Sequence, residues 1–305
     1  MKRALVTGAS GFVGRHALAP LAARGFEVHA LSRGGAPAGL EVEGVAWHRA
    51  DLLESGVARG VVEAVRPTHL LHLAWDVRPG VFWTAPDNLD WVAASLALAR
   101  AFAETRGTRI VGAGTCAEYD WAAGGPCSEF DTPLAPATLY GAAKHALRGL
   151  VEAHARQAGV SAAWGRIFFL YGPYEAPARL VSSVARALVA GQPAEVTPGT
   201  QRRDFLHAAD AGEAFAALLD SGVEGPVNVA SGEAVEVREV VQEVARAAGR
   251  PDLVRWGARP APVGEPAVLV ADAGRLRAEV GWTPRHSLRS GVADAVAWWH
   301  AEAGR

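Results

Sequence analysis

Tyr140 and Lys144 stand four positions apart in Tyr140-Gly-Ala-Ala-Lys144. On a helix that spacing puts both side chains on one face. An ammonium near a phenol stabilises the phenolate and pulls the tyrosine pKa from ~10 toward neutrality. The phenol then becomes a usable general acid or base. Such a pair also arises by chance on exposed helices, so its meaning depends on what accompanies it. Near the start of the chain, Thr7-Gly-Ala-Ser-Gly-Phe-Val-Gly14 joins an apolar strand to a helix. Gly8, Gly11 and Gly14 allow a tight turn and let backbone approach a pyrophosphate, while the helix N-terminus offers free N–H groups and a positive dipole end. Ser10, Phe12 and Val13 fill the same loop and are counted with it as cofactor-binding. Together the Tyr/Lys pair and the glycine loop make a far stronger signal than either alone.

The elements that must position these groups alternate along the chain. Strands are predicted over 2–7, 28–31, 45–48, 69–73, 109–112 and 162–167, and helices over 12–24, 55–65, 88–106 and 140–157. Pro20 lies inside the first helix, where it removes a backbone donor, and a local kink is expected there. Alternation of this kind predicts an α/β fold with a doubly wound parallel sheet of Rossmann type. After Tyr171-Gly172-Pro173 the pattern changes to frequent Pro, Gly and short strands such as Val227-Asn228-Val229. Residues 1–171 are therefore read as the dinucleotide domain and 172–305 as a smaller substrate lobe, with some segments allowed to return to the main sheet.

Composition narrows the class. The 305 residues are half hydrophobic and a fifth charged, as in globular proteins, and the formal charge of -2 argues against nucleic acid as a partner. Only Cys116 and Cys127 are present, which makes neither a disulfide framework nor a metal site. No leader with a cleavage site follows Met1, and no apolar run approaches the ~18 residues of a membrane span, so a soluble cytoplasmic protein is expected. Of the ten tryptophans, most are expected to serve packing.

The glycines follow the spacing GxxGxxG, and the chain resembles the extended branch of the short-chain dehydrogenase/reductase superfamily, whose members act on nucleotide sugars. The resemblance runs through nearly the whole sequence. Asp51-Leu52 is similar to the family's adenine-contacting pair, and His72-Leu73-Ala74 to its HxAA strand end. Asn88, Thr115, Tyr140 and Lys144 match in order. So do Arg166 to Pro173 (like RxFNxYGP), Arg203-Asp204-Phe205-Leu206-His207 (like RDFxHV) and Gly281-Trp282-Thr283-Pro284. The resemblance implies that Tyr140 exchanges a proton with the sugar while hydride passes to or from its carbon. It further implies that Lys144 lowers the Tyr140 pKa and holds the nicotinamide ribose, and that Thr115 hydrogen-bonds the reacting oxygen. Asp51, Leu52, Leu73 and Ala74 then line the dinucleotide.

At the end of the second strand, where an acidic residue would hold the ribose hydroxyls and favour NAD, the chain reads Leu31-Ser32-Arg33. A hydroxyl followed by a guanidinium suits a 2′-phosphate, so Ser32 and Arg33 favour NADP(H), with NAD(H) as the other option.

Substrate readings rest on departures from the family pattern. Dehydratases resembling this family carry Asp and Glu after the threonine, whereas here Cys116 and Ala117 take those positions, and Ala cannot abstract a proton. Glu118 is one register out and either faces the site or, the favoured reading, is a solvated or hydrogen-bonded structural carboxylate. His207 reads as a structural histidine bonding backbone. Trp75 replaces a small residue, so the segment from Trp75 to Trp83 either overhangs the sugar or is a loop tacked down by buried tryptophan. Phe169 replaces the family's Asn. Cys116 touches substrate or is a packed thiol. Arg179, Arg203 and Arg259 are the candidates for the substrate diphosphate.

The leading expectation is an NADPH-dependent reductase of a nucleotide-linked 4-keto sugar. The second is a nucleotide-sugar 4-epimerase with tightly held NAD, and the third a non-catalytic dinucleotide sensor. A homodimer is expected through the helices near 88–106 and 140–157, whose apolar residues include Leu96, Leu98, Phe102, Leu147, Leu150 and Val151.

Overall fold

The computed structural model describes residues 2–261 and 264–304. In its first half β1 (Arg3–Thr7), α1 (Gly14–Ala23), β2 (Glu27–Ser32), β3 (Val45–Arg49), α2 (Val57–Val65), β4 (His69–His72), α3 (Asn88–Glu104) and β5 (Arg109–Thr115) follow one another. A single 3₁₀ turn (Cys116–Glu118), the two-residue β6 (Pro126–Cys127), α4 (Leu139–Ala158) and β7 (Ser161–Ile167) come next. The second half contains β8 (Phe169–Tyr171), α5 (Leu180–Val189), β9 (Ala194–Val196), β10 (Arg202–His207), α6 (Ala208–Asp220) and β11 (Gly225–Val229). It ends with β12 (Ala234–Glu236), α7 (Val237–Ala247), β13 (Val254–Trp256), β14 (Val268–Ala271), α8 (Gly274–Ala278) and α9 (Leu288–Ala303).

Seven parallel strands form the main sheet in the order β11-β7-β5-β4-β1-β2-β3. The strands are near-continuous runs such as Ala4-Leu5-Val6 because both faces of a parallel sheet are covered. One face packs through Ala17, Leu18, Leu21, Ala214, Phe215 and Leu218 of α1 and α6. The other packs through α2, α3 and α4. The α1 helix continues through Pro20 to Ala23, since proline at this depth forgoes only one bond near the end of a ten-residue helix.

Tertiary pairing redraws the division at Tyr171. The helix α6 and strand β11, both beyond it, complete the main sheet and its cover. In the opposite direction β6, from the first half, pairs with β14 in a second sheet of order β12-β10-β14-β6, onto which β8 also pairs through β10. A separate core of α5, α7 and α9 lies in the C-terminal part.

The apolar residues of α3 and α4 are largely spent inside one chain. Leu98, Phe102, Leu147 and Val151 are buried in the core under the sheet, while Leu150 remains on the surface.

Candidate active site

The sheet reverses its winding between β1 and β4, and in open α/β sheets ligands bind outside the strand carboxyl ends at that point. Gly8 follows β1, Leu73 and Ala74 follow β4, and Thr115 ends β5. Gly8 has φ +67° and a Cβ there would come within 2.8 Å of the Ala74 amide nitrogen. At Gly14 a Cβ would meet the Gly8 carbonyl oxygen at 2.2 Å. Only glycine lets this turn fold so tightly against β4. No side chain caps α1, so its N-terminal end stays available to an anion. Gly11 is exposed, Ser10, Phe12 and Val13 are partly buried, and the Ser10 carbonyl accepts from Arg15 Nη2 at 3.4 Å. This cradle fits the diphosphate of a dinucleotide.

A buried relay fastens the cradle to β4. The Ser95 hydroxyl donates to the Trp91 carbonyl at 2.6 Å and so must accept from His72 Nε2, 2.8 Å away. His72 Nδ1 then accepts from the Thr7 hydroxyl at 2.8 Å, and Thr7 Oγ1 accepts from the Leu73 and Ala74 amides at 3.2 and 3.3 Å. Burial, with the Lys144 charge adding to it, pushes His72 down to about 3, which keeps the ring neutral for this role. The HxAA match marked His72; the parts played by Thr7 and Ser95 have no signature in sequence spacing.

Beyond β2, Ser32 is buried and its hydroxyl donates to the Gly35 carbonyl at 2.6 Å. Arg33 is exposed. Asp51 Oδ1 accepts from the Leu53 amide at 3.1 Å, and Leu52 is buried.

The threonine, tyrosine and lysine converge. The Thr138 hydroxyl caps α4 by accepting from the Gly141 amide at 3.1 Å, and one turn on, Tyr140 and Lys144 are both buried. Burial pushes the Tyr140 hydroxyl above the ordinary tyrosine range, while a hydrogen bond with the Thr115 side chain and the Arg179 charge pull it back. The net shift is upward, opposite to the lowering expected from Lys144. The Lys144 ammonium instead donates to the Ala113 carbonyl at 2.9 Å and lies 3.8 Å from the Trp75 ring centroid. Burial brings it down to about 7, with Glu118 opposing that shift.

Glu118 is the structural carboxylate expected. Its Oε1 accepts from the Thr115 amide at 2.9 Å and from Trp164 Nε1 at 2.8 Å. Its Oε2 accepts from Arg166 Nε at 3.0 Å. Arg166 in turn donates to the Tyr119 hydroxyl at 2.9 Å, and that hydroxyl donates to Asn228 Oδ1 at 2.7 Å. This buried chain braces the strand end that carries Thr115.

The substrate-side candidates separate. Trp75 belongs to the site, bonded through Nε1 to Asn88 Oδ1 at 2.8 Å. Arg179 reaches it too, with Nη2 3.4 Å from the Val77 carbonyl it bonds and its guanidinium 5.4 Å from the Phe82 centroid. Cys116 is a packed thiol among Tyr119, Cys127 and Phe168, and burial raises its pKa well above the ordinary range. Arg203 is buried over Phe169 and pairs with Glu265 at 2.9 Å. Arg259 is exposed and lines a hollow of about 130 Å³ with Ser183, Ala187, Pro193 and Glu195. His207 accepts from the Ala209 amide at 3.4 Å and lies 3.3 Å from Asp294. Among the described residues no group of three potential ligands could hold a metal ion, and no helix is long and apolar enough to cross a membrane.

Fold and site together define a Rossmann-type enzyme with a Tyr/Lys pair beside a dinucleotide cradle. Comparison with known proteins gives the family: residues 4–230 match the NAD dependent epimerase/dehydratase family, and the chain belongs to it. It is 31% identical to a UDP-glucose 4-epimerase of Streptomyces lividans, across 96% of this chain and 95% of that protein. A UDP-glucose 4-epimerase of Corynebacterium glutamicum is 28% identical over 96% of this chain and 94% of its own length. The crystal structure of UDP-glucose 4-epimerase from Thermus thermophilus in complex with NAD superposes with a TM-score of 0.85, at 28% identity, covering 97% of this chain and 98% of that one.

Proposed function

We propose that this protein is a nucleotide-sugar 4-epimerase working with NAD. The observation that carries the reading is the convergence of Thr115, Tyr140 and Lys144 while the neighbouring carboxylate, Glu118, is fully engaged in bracing Thr115. With Glu118 so held and Cys116 and Ala117 in the family's acid positions, elimination of water lacks its base among the described residues. Epimerisation needs only a reversible proton transfer.

The Gly8–Gly14 turn and the uncapped end of α1 hold the dinucleotide diphosphate, with Ser10, Phe12, Val13, Asp51, Leu52, Leu73 and Ala74 beside it. When bound, the nicotinamide supplies the acceptor and donor of hydride. In its phenolate form Tyr140 takes the proton of the C4 hydroxyl and, as the phenol, later returns it to the C4 oxygen, Thr115 holds that oxygen, and Lys144 holds the nicotinamide ribose. Between the two transfers the sugar presents its other face, so C4 is inverted, and return of the hydride leaves no net oxidation. Arg179, which reaches Val77 and Phe82 beside Tyr140, is the cation for the substrate diphosphate, whereas Arg203 is paired with Glu265 and Arg259 lines a separate hollow.

Reduction of a 4-keto sugar would use the same three residues. The full-length similarity to UDP-glucose 4-epimerases favours epimerisation over that expectation. Retention of all three residues argues against a non-catalytic sensor. For the dinucleotide, the Ser32 hydroxyl has one proton and donates it to Gly35, which weakens half of the case for NADP(H). Bound NAD in the Thermus thermophilus epimerase points the same way. Purified protein should interconvert UDP-glucose and UDP-galactose without added cofactor and bind NAD more tightly than NADP. Stoichiometric NADPH consumption with a 4-keto sugar, and no interconversion, would overturn the proposal.

A further inference from the structure

The wall around Tyr140 is aromatic, and the indole donors of Trp75 and Trp121 are already taken. Trp75, Phe82, Trp83 and Trp121 pack in one group with Tyr140 and Ala117. Phe82, Trp83 and Trp75 meet the Tyr140 ring at steep angles, with centroids 4.8, 5.9 and 6.4 Å away. Trp121 stands against Trp83 at 6.2 Å. An indole has one N–H donor and no acceptor. That of Trp75 goes to Asn88 and that of Trp121 to the Cys116 carbonyl at 2.9 Å. The Asn88 donors are spent as well, its amide donating to the Phe82 and Ala85 carbonyls at 2.8 Å each.

This enclosure is fastened in place. The Tyr140 amide donates to the Trp83 carbonyl at 3.1 Å, Arg179 bonds Val77, and Arg78 pairs with Asp76 at 2.7 Å. Trp75 also stacks on Trp91 at 6.0 Å from below. Phe82 and the Trp75 and Trp121 rings are thus held with carbon, rather than N–H groups, as the surface beside the reacting tyrosine.

We infer that the site prefers a nucleotide-linked 6-deoxyhexose, with methyl in place of hydroxymethyl on the carbon next to the reacting one, over the fully hydroxylated hexose. The inference rests on the epimerase reading above. Aromatic walls favour the C–H-rich parts of a pyranose, and a hydroxyl pressed on them loses its water without gaining a partner. An apolar site disfavours an isostere that merely adds a hydroxyl by up to ~100-fold.

The test compares kcat/KM of the full chain for UDP-galactose and for UDP-6-deoxygalactose, in the wild type and in Trp83→Leu and Trp121→Phe variants checked for unchanged melting. The deoxy ring should be favoured ~10-fold or more, and Trp83→Leu should shrink that ratio. Epimerisation of the hydroxylated ring with equal or better efficiency overturns the preference and leaves the epimerase reading intact. Epimerisation of neither ring, with NAD still bound, overturns the epimerase reading and this inference with it.

Discussion

Glu118 and Thr115 lock one another at the end of β5: the Glu118 carboxylate accepts the Thr115 amide at 2.9 Å, and the Thr115 hydroxyl accepts the Ala117 amide at 3.2 Å within the same turn. The carboxylate that spacing brought nearest to the reacting centre therefore acts on the threonine from behind. Its other oxygen sits in a fully buried ion pair with Arg166.

Removing one partner of such a pair leaves an uncompensated charge, at a cost of ~3–5 kcal/mol. Glu118→Ala should lose stability of that order in urea unfolding. Glu118→Gln retains one acceptor oxygen and should lose less. An unchanged unfolding midpoint for Glu118→Ala would refute the bracing role.

Tyr140→Phe removes the proton donor and keeps the ring packed against Phe82 and Trp83. Turnover should fall by ~10²–10⁴-fold with melting temperature and dinucleotide affinity little changed. Full turnover in this variant would contradict the mechanism.

Gly14→Ala places a methyl against the Gly8 carbonyl at 2.2 Å, a contact only a shift of backbone can relieve. Dinucleotide binding, followed by fluorescence titration, should weaken by ~5- to 150-fold, because strain of ~1–3 kcal/mol falls directly on the cradle. An affinity equal to the wild type would show that the turn does not shape the site.

Three histidines make the fold acid-sensitive. Burial lowers His16 to about 4, with His207, Arg15 and His286 adding to the shift. Burial lowers His207 to about 4, with His286 adding and Asp294 and Asp210 opposing. Burial lowers His72 to about 3. The unfolded chain takes up these protons near 6.5 and the folded chain only near 3–4. Stability from this source is therefore complete above 6.5 and is lost as pH falls through 4. Urea midpoints measured from pH 7 to 4 should decline, and His16→Phe, whose ring Nε2 has no hydrogen-bond partner, should flatten the decline. Lys144 acts in another window. Its folded value of about 7 lies below the ordinary 10.5, so its contribution grows as pH rises between those values.

How far each feature could be read from sequence depended on how local its cause is. The GxxGxxG turn, the strand and helix alternation and the four-residue step from Tyr140 to Lys144 are set by neighbours along the chain. They were legible, as was the structural reading of Glu118. The expected lowering of the Tyr140 pKa by Lys144 failed because desolvation depends on every element that closes over the phenol. Trp75 was visible as a departure from the family pattern, and the structure shows what holds it in place. It is tacked down by Asn88, and it lies against Lys144 and Tyr140.

Strand and helix periodicity, the glycine turn and the ordered motifs were enough, by themselves, to define the fold class, the family and the residues that meet at the switch point. Only the folded chain decided that α6 and β11 return to the main sheet, that Ser32 spends its proton on Gly35, and that the indole donors of Trp75 and Trp121 are consumed. Those outcomes depend on contacts between residues far apart in sequence, and burial changes both the charge a group can bear and the hydrogen bonds it has left to give.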